Sequence, residues 1–171
     1  MLKPTRIALA TLLLGTAGAA LAAGEPVIGL ITKTETNPFF VKMKEGATEA
    51  AKAKGGKLLS GAGKTDGDNA GQVTAMENMI AAGAKTILIT PSDSKAIIPA
   101  IKKAQAKGVM VIALDSPTDP VEATDALFAT DNYKAGVLIG QYAKAALAAN
   151  FPGKPAKIVT LDLVPGHPVG A

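Results

Sequence analysis

The chain has 171 residues, no cysteine, one histidine, and 18 basic residues against 14 acidic ones, a formal net charge of +4. The lack of cysteine excludes disulfides and thiolate metal sites, so stability must come from a packed core, which a chain of this length can build. The basic balance does not mark a nucleic-acid binder, because Arg6 is the only arginine and the lysines are scattered along helix faces, whereas nucleic-acid recognition draws on clustered basic residues and bidentate arginine.

Lys3 and Arg6 precede an apolar run over residues 7–14, and small residues follow to Ala20-Leu21-Ala22-Ala23. That order predicts a secretory signal peptide over 1–23, cleaved after Ala22 or Ala23. The run is shorter than the roughly 20 apolar residues of a membrane span. Export implies a periplasmic product, and removing Lys3 and Arg6 leaves 16 basic residues against 14 acidic ones, a net charge of +2.

From there short apolar runs alternate with longer amphipathic ones. A strand is expected over 27–31, followed by a helix over 38–54 with Phe40, Met43, Ala47 and Ala50 on one stripe. Asn37-Pro38 reads as an N-cap and a first-turn proline. A strand over 57–60 and a helix over 69–82 come next, the helix carrying Val73, Met76 and Ile80. The strand at 86–89 leads to a helix over 96–107 with Ile97, Ile101 and Ala104; Pro99 predicts a shortened or kinked first turn there. Strands over 109–114 and 126–129, a helix over 132–149 and a strand over 157–161 complete the series. Gly55-Gly56, Gly83 and Gly108 stop three of the helices. Several strands are continuous Val/Ile/Leu runs, as befits strands buried on both faces. The expected fold is α/β, an open, mostly parallel sheet with helices on both faces.

Ligands of such sheets bind beyond the carboxyl ends of the strands. The first strand is followed by Thr32-Lys33-Thr34-Glu35-Thr36-Asn37-Pro38-Phe39-Phe40, the third by Thr90-Pro91-Ser92-Asp93-Ser94, and the fourth by Asp115-Ser116-Pro117. Carboxylates, amides and hydroxyls there, with an aromatic ring, suit a small polar ligand such as a polyol. Buried hydroxyls without partners cost about 1–3 kcal/mol each, so several directed groups must converge. Local roles compete with binding. Asn37 and Asp93 can equally cap helices, and Asp131 reads as a cap. Asp115 has no helix to cap at once. Phe40 fits the helical stripe, which leaves Phe39 for the cleft.

Enzymatic motifs are missing. Gly61-Ala62-Gly63-Lys64-Thr65 resembles the end of a P-loop, but Leu58 stands where the motif needs glycine. Gly29 stands alone where a dinucleotide fingerprint would lie. His167 has no G-x-S-x-G serine to serve, and no carboxylate–histidine cluster has metal-ligand spacing. No catalytic role, cofactor or metal is expected.

The residues Ile28-Gly29-Leu30, Asn37-Pro38-Phe39-Phe40, Met43-Lys44-Glu45-Gly46-Ala47, Ile89-Thr90-Pro91-Ser92-Asp93-Ser94, Gly108 through Asp115, and Thr130-Asp131-Asn132-Tyr133 resemble, in order and spacing, the ribose/galactose-type periplasmic binding proteins. These share their fold with the effector domains of LacI-type repressors, and the wording looks closest to fructose-type members. The resemblance covers essentially all of the chain after the signal peptide. It implies two lobes closing by a hinge on a monosaccharide, a monomeric protein, and delivery to an ABC permease in the membrane. It also implies that the aromatic at Phe39 or Phe40 stacks on the sugar, that Asp93 and Asp115 bond its hydroxyls, and that Asn37 lies nearby. Lobe one would then span 25–114, and lobe two would begin at 115–171. Family members are longer and draw arginine and further polar groups from lobe two. No arginine follows residue 23 here, so the chain is expected to be an N-terminal fragment. Two alternatives share the resemblance. One is a receptor reporting a sugar or autoinducer to a membrane signalling protein; the other is a LacI-type repressor core, opposed by the signal peptide and the lack of a helix-turn-helix. A small flavodoxin-like enzyme is a further, less favoured reading.

Overall fold

The computed structural model describes residues 24–159. The expected signal peptide lies outside them. Five strands and four α-helices alternate: β1 (Val27–Thr32), α1 (Pro38–Ala53), β2 (Lys57–Ala62), α2 (Asn69–Ala81), β3 (Thr86–Ile89), α3 (Ile98–Gln105), β4 (Met110–Leu114), β5 (Ala126–Phe128) and α4 (Asn132–Asn150), with a 3-10 turn at Val121–Ala123. All pairings are parallel, in the order β2-β1-β3-β4-β5. The order reverses at β1, whose neighbours β2 and β3 lie on opposite sides; the crevice at such a reversal is where open sheets bind ligands.

Local chemistry sets the helix limits. The Asn37 side chain accepts a hydrogen bond from the Phe39 N–H at 3.0 Å, with Pro38 in the first turn. Asp68 and Asp131 do the same for α2 and α4, accepting from Gly71 and Lys134 at 2.9 Å each. Pro99 sits in the first turn of α3, so that helix starts at Ile98 and residues 94–97 form a turn. The shortened first turn is what the missing proline N–H predicts. In α1 the buried stripe ends on Ala51 rather than Ala50, because the step from Ala47 is one full turn of four residues.

One face of the sheet makes the core. Ile31, Ile87, Ile89 and Val111 meet Met76 and Met79 of α2 and Ile101 and Ala104 of α3, all buried. Val73 and Ile80 flank this contact, while Gln72 sits fully buried on the same helix. Gly29 allows the close approach: a Cβ there would lie 2.5 Å from the Met79 sulfur. Fully burying each large aliphatic side chain contributes about 1.5–3 kcal/mol. Helix α1 covers β1 and β2 on the other face through Phe40 and Ala51.

β5 pairs with β4 from Ile112↔Ala126 to Leu114↔Phe128, so the sheet runs on to Phe128. Asp125 brings the chain back: its N–H donates to the Val111 carbonyl at 2.8 Å and its carboxylate accepts from the Val111 N–H at 2.7 Å. No strand forms over 157–159, where Ile158 and Val159 are exposed and unpaired in any sheet; residues 160–161 of that expected strand lie outside the described residues. Helix α4 buries none of its residues, and Tyr133, Leu138, Ile139 and Tyr142 are exposed along it.

Candidate functional site

The carboxyl edge of the sheet gathers the candidate residues into two groups. Phe39 is 53 % exposed while its neighbour Phe40 is 5 % exposed, the rings meeting edge to face at 5.3 Å and 70°. Consecutive helical residues point about 100° apart, so only one of the pair can enter the core. Phe39 lines a shallow depression of about 290 Å³ with Met43, Leu114, Asp115, Phe128, Ala129 and Thr130. Phe40 lines a different hollow of about 160 Å³, beside Thr32, Thr34, Glu35 and Lys44.

Asp115 therefore stands with Phe39. Its backbone is left-handed, with φ of 63°, the one such non-glycine residue among those described. Asparagine and aspartate tolerate that region better than other residues, and strained positions of this kind cluster at ligand sites. The conformation is held from the edge strand: the Asp115 N–H donates to the Phe128 carbonyl at 2.8 Å. The Ser116 hydroxyl donates to its carboxylate at 3.3 Å.

Asp93 does not line that depression. One of its carboxylate oxygens accepts from the backbone N–H groups of Lys95 and Ala96, at 2.8 Å each. These two bonds hold its carboxyl below the usual carboxylate range. It caps the turn before α3, the role that competed with ligand binding. Asn37 uses its side-chain oxygen as a cap, and this leaves the amide N–H groups for other partners.

Two residues at this edge escaped sequence reasoning. Lys33, directly after β1, is only 3 % exposed. Burial lowers its pKa, and the nearby charges of Asp115 and Asp66 oppose that shift. A lysine in a polar loop gives no sequence signal of burial. Gln72 donates to the Thr32 and Thr90 carbonyls at 3.0 and 2.8 Å and accepts from the Ser92 N–H at 2.8 Å. The spacing of Gln72 from Met76 and Met79 does place it on the inner stripe, a signal that polarity obscures.

A hollow of about 750 Å³ lies along the outer edge of β2 beside α2, lined by Leu59, Gly61, Lys64, Asp68, Ala75 and others. It includes the P-loop-like segment. There the Asp68 carboxylate accepts from the Lys64 and Gly71 N–H groups at 2.9 Å each, occupying with negative charge the donors a phosphate would need. Among the described residues no cluster of three or more His, Asp or Glu could hold a metal ion, and no helix is long and apolar enough to cross a membrane.

Residues 28–171 match the family model described as periplasmic binding protein domain. The ribose import binding protein RbsB of Bacillus subtilis is 37 % identical over 142 residues, covering 83 % of this chain and 44 % of that protein. RbsB of Escherichia coli is 32 % identical over 149 residues, 86 % of this chain and 47 % of that one. Among solved structures, an ABC transporter periplasmic solute-binding protein from Actinobacillus succinogenes with bound D-allose superposes with a TM-score of 0.73 at 32 % identity, over 85 % of this chain and 51 % of that chain. A carbohydrate transporter solute-binding protein from Agrobacterium radiobacter, in complex with D-arabinose, gives a TM-score of 0.76 at 28 % identity, over 87 % and 50 % of the two chains. The chain spans about half the length of the relatives it matches.

Proposed function

Because the chain belongs to the periplasmic binding protein domain family, we propose that its parent protein is the extracytoplasmic binding component of a sugar ABC importer. It binds a monosaccharide between two lobes and hands it to a membrane permease. The relatives named above are binding proteins for ribose, or carry D-allose or D-arabinose, so pentoses and related hexoses are the first ligands to test. The role is binding rather than catalysis, with no cofactor, and the protein works as a monomer in the periplasm after export.

The observation that carries this reading is the meeting of Phe39 and Asp115 at one depression on the carboxyl edge of the sheet. In the mechanism it supports, the exposed Phe39 ring covers the apolar C–H face of a sugar. The Asp115 carboxylate accepts from two hydroxyls, and the free amide N–H groups of Asn37 donate to a third oxygen. Phe40 backs Phe39 from the core. In this reading Asp93 takes the supporting part, one of its carboxylate oxygens capping the β3 loop. Lobe one includes β5, the crossing lies at 129–131, and α4 opens lobe two. Contacts from both lobes make the ligand favour the closed state, which is how binding drives closure.

A thermal-shift panel of pentoses and hexoses on the full-length protein tests the reading. A ligand at about one hundred times its Kd adds roughly 2.7 kcal/mol of stability, a clear rise in Tm. A flat response across the panel would refute the proposal.

A further inference from the structure

We infer that Gln72 is a positioning residue, setting the affinity of the cleft without touching the ligand; this deepens the sugar-binding reading and rests on it. The β1–β3 ladder ends at Ile31↔Ile89, with a last bond from the Thr90 N–H to the Ile31 carbonyl at 2.9 Å. Beyond it the chains part into the loops that build the edge. Thr32, Thr90 and Ser92 are buried there, at 5 %, 0 % and 6 % exposure. Their backbone groups are met by one side chain from the helix beneath. The Gln72 amide nitrogen spends both of its protons, on the Thr32 and Thr90 carbonyls, and its oxygen takes the Ser92 N–H. Two acceptors at one end and a donor at the other permit a single orientation of the amide.

Gln72 thus joins the segment leading to Asn37 and Phe39 to the segment leading to Asp93, at the point where the sheet no longer joins them. Replacing it strands three buried backbone groups at once, and the cheapest relief is for the two loops to separate and admit water. Loops that carry ligand groups lose affinity when their supporting hydrogen bonds go, because geometry must then be set during binding.

The test uses the full-length protein, titrated with D-ribose, D-allose and the wider pentose and hexose panel by calorimetry. Gln72→Met keeps the volume and removes every hydrogen bond. Ile101→Val, in the same core on α3, is the control for lost stability. The expected result is a Kd raised about ten-fold or more in Gln72→Met, the scale on which outer hydrogen-bond partners act on bound groups. The Ser92 amide of the ligand-free variant also exchanges faster than in Ile101→Val, which keeps the native Kd at a comparable loss of Tm. Should Gln72→Met fail to fold, Gln72→Glu, which keeps the acceptor toward Ser92, is judged by the same criterion. Native binding together with a variant Kd matching that of Ile101→Val overturns the inference alone. A native protein that binds no sugar of the panel overturns the reading beneath it as well, so the two failures are distinct.

Discussion

Aspartates at this edge divide by what their oxygens already hold. One Asp93 oxygen is committed to two backbone donors, and among the described residues the Asp115 carboxylate accepts a hydrogen bond from the neighbouring Ser116 hydroxyl. In the full-length protein Asp115→Ala is expected to weaken sugar binding at least ten-fold, the loss of about 1.4 kcal/mol or more that removing a charged hydrogen-bond partner brings. Asp93→Ala should instead lower stability and leave affinity nearly intact. Its carboxyl is depressed below the ordinary 3.8, so its stabilising contribution is present above that value and fades as pH falls through the lower folded value. The stability gap between native and Asp93→Ala therefore closes in acid, which denaturant melts across pH would read. Equal affinity losses in the two variants would sink the separation. The sequence already separated the two in part, since Asp93 could cap a helix and Asp115 had none to cap at once, while the family resemblance gave both a part in binding. The Phe39–Phe40 pair was legible, since helical phase alone sends one ring inward. Lys33 was not, because its burial depends on elements distant in sequence, and at Gln72 polarity obscured the helical phase that places it inside.

Among the elements, α3 and α4 differ most in how they are held. Ile101 of α3 is fully buried, whereas Ile139 of α4 is 64 % exposed and its helix buries nothing. Ile101→Ala should cost the 171-residue chain about 2–5 kcal/mol, and Ile139→Ala less than about 0.5 kcal/mol. Urea unfolding of the two variants checks this, and comparable losses would mean that α4 packs on the sheet in solution. Periodicity predicted both helices equally well, because an apolar stripe announces that a face will be covered and not by what. The strand at β5 was read from its apolar run, but its pairing with β4 was not, because the Asp125–Val111 bonds that bring it back to the sheet leave no sequence pattern.

On the scale of the whole molecule, the proposed sugar-binding reading makes the described residues one wall of a cleft. A monosaccharide held by one wall keeps much of its surface in water, while ligand sites ordinarily bury most of it. The isolated 171-residue chain is therefore expected to bind D-ribose or D-allose far more weakly than the full-length protein, which parallel calorimetry would establish. Micromolar binding by the chain alone would show that this wall suffices. The parallel sheet was readable from the strand–helix alternation, which is repeated many times along the sequence. The limit of the first sheet was not, because it rests on a few bonds between Val111 and Asp125.

The left-handed backbone of Asp115 also bears on how such a site can diversify. Only glycine, asparagine and aspartate enter that region readily, and other residues meet a penalty of about 1–2 kcal/mol. A lineage altering its ligand preference at this position has a short alphabet: an acid, its amide, or no side chain at all. The neighbouring aromatic position carries no such backbone restriction, so new specificities are more freely explored there than at the carboxylate.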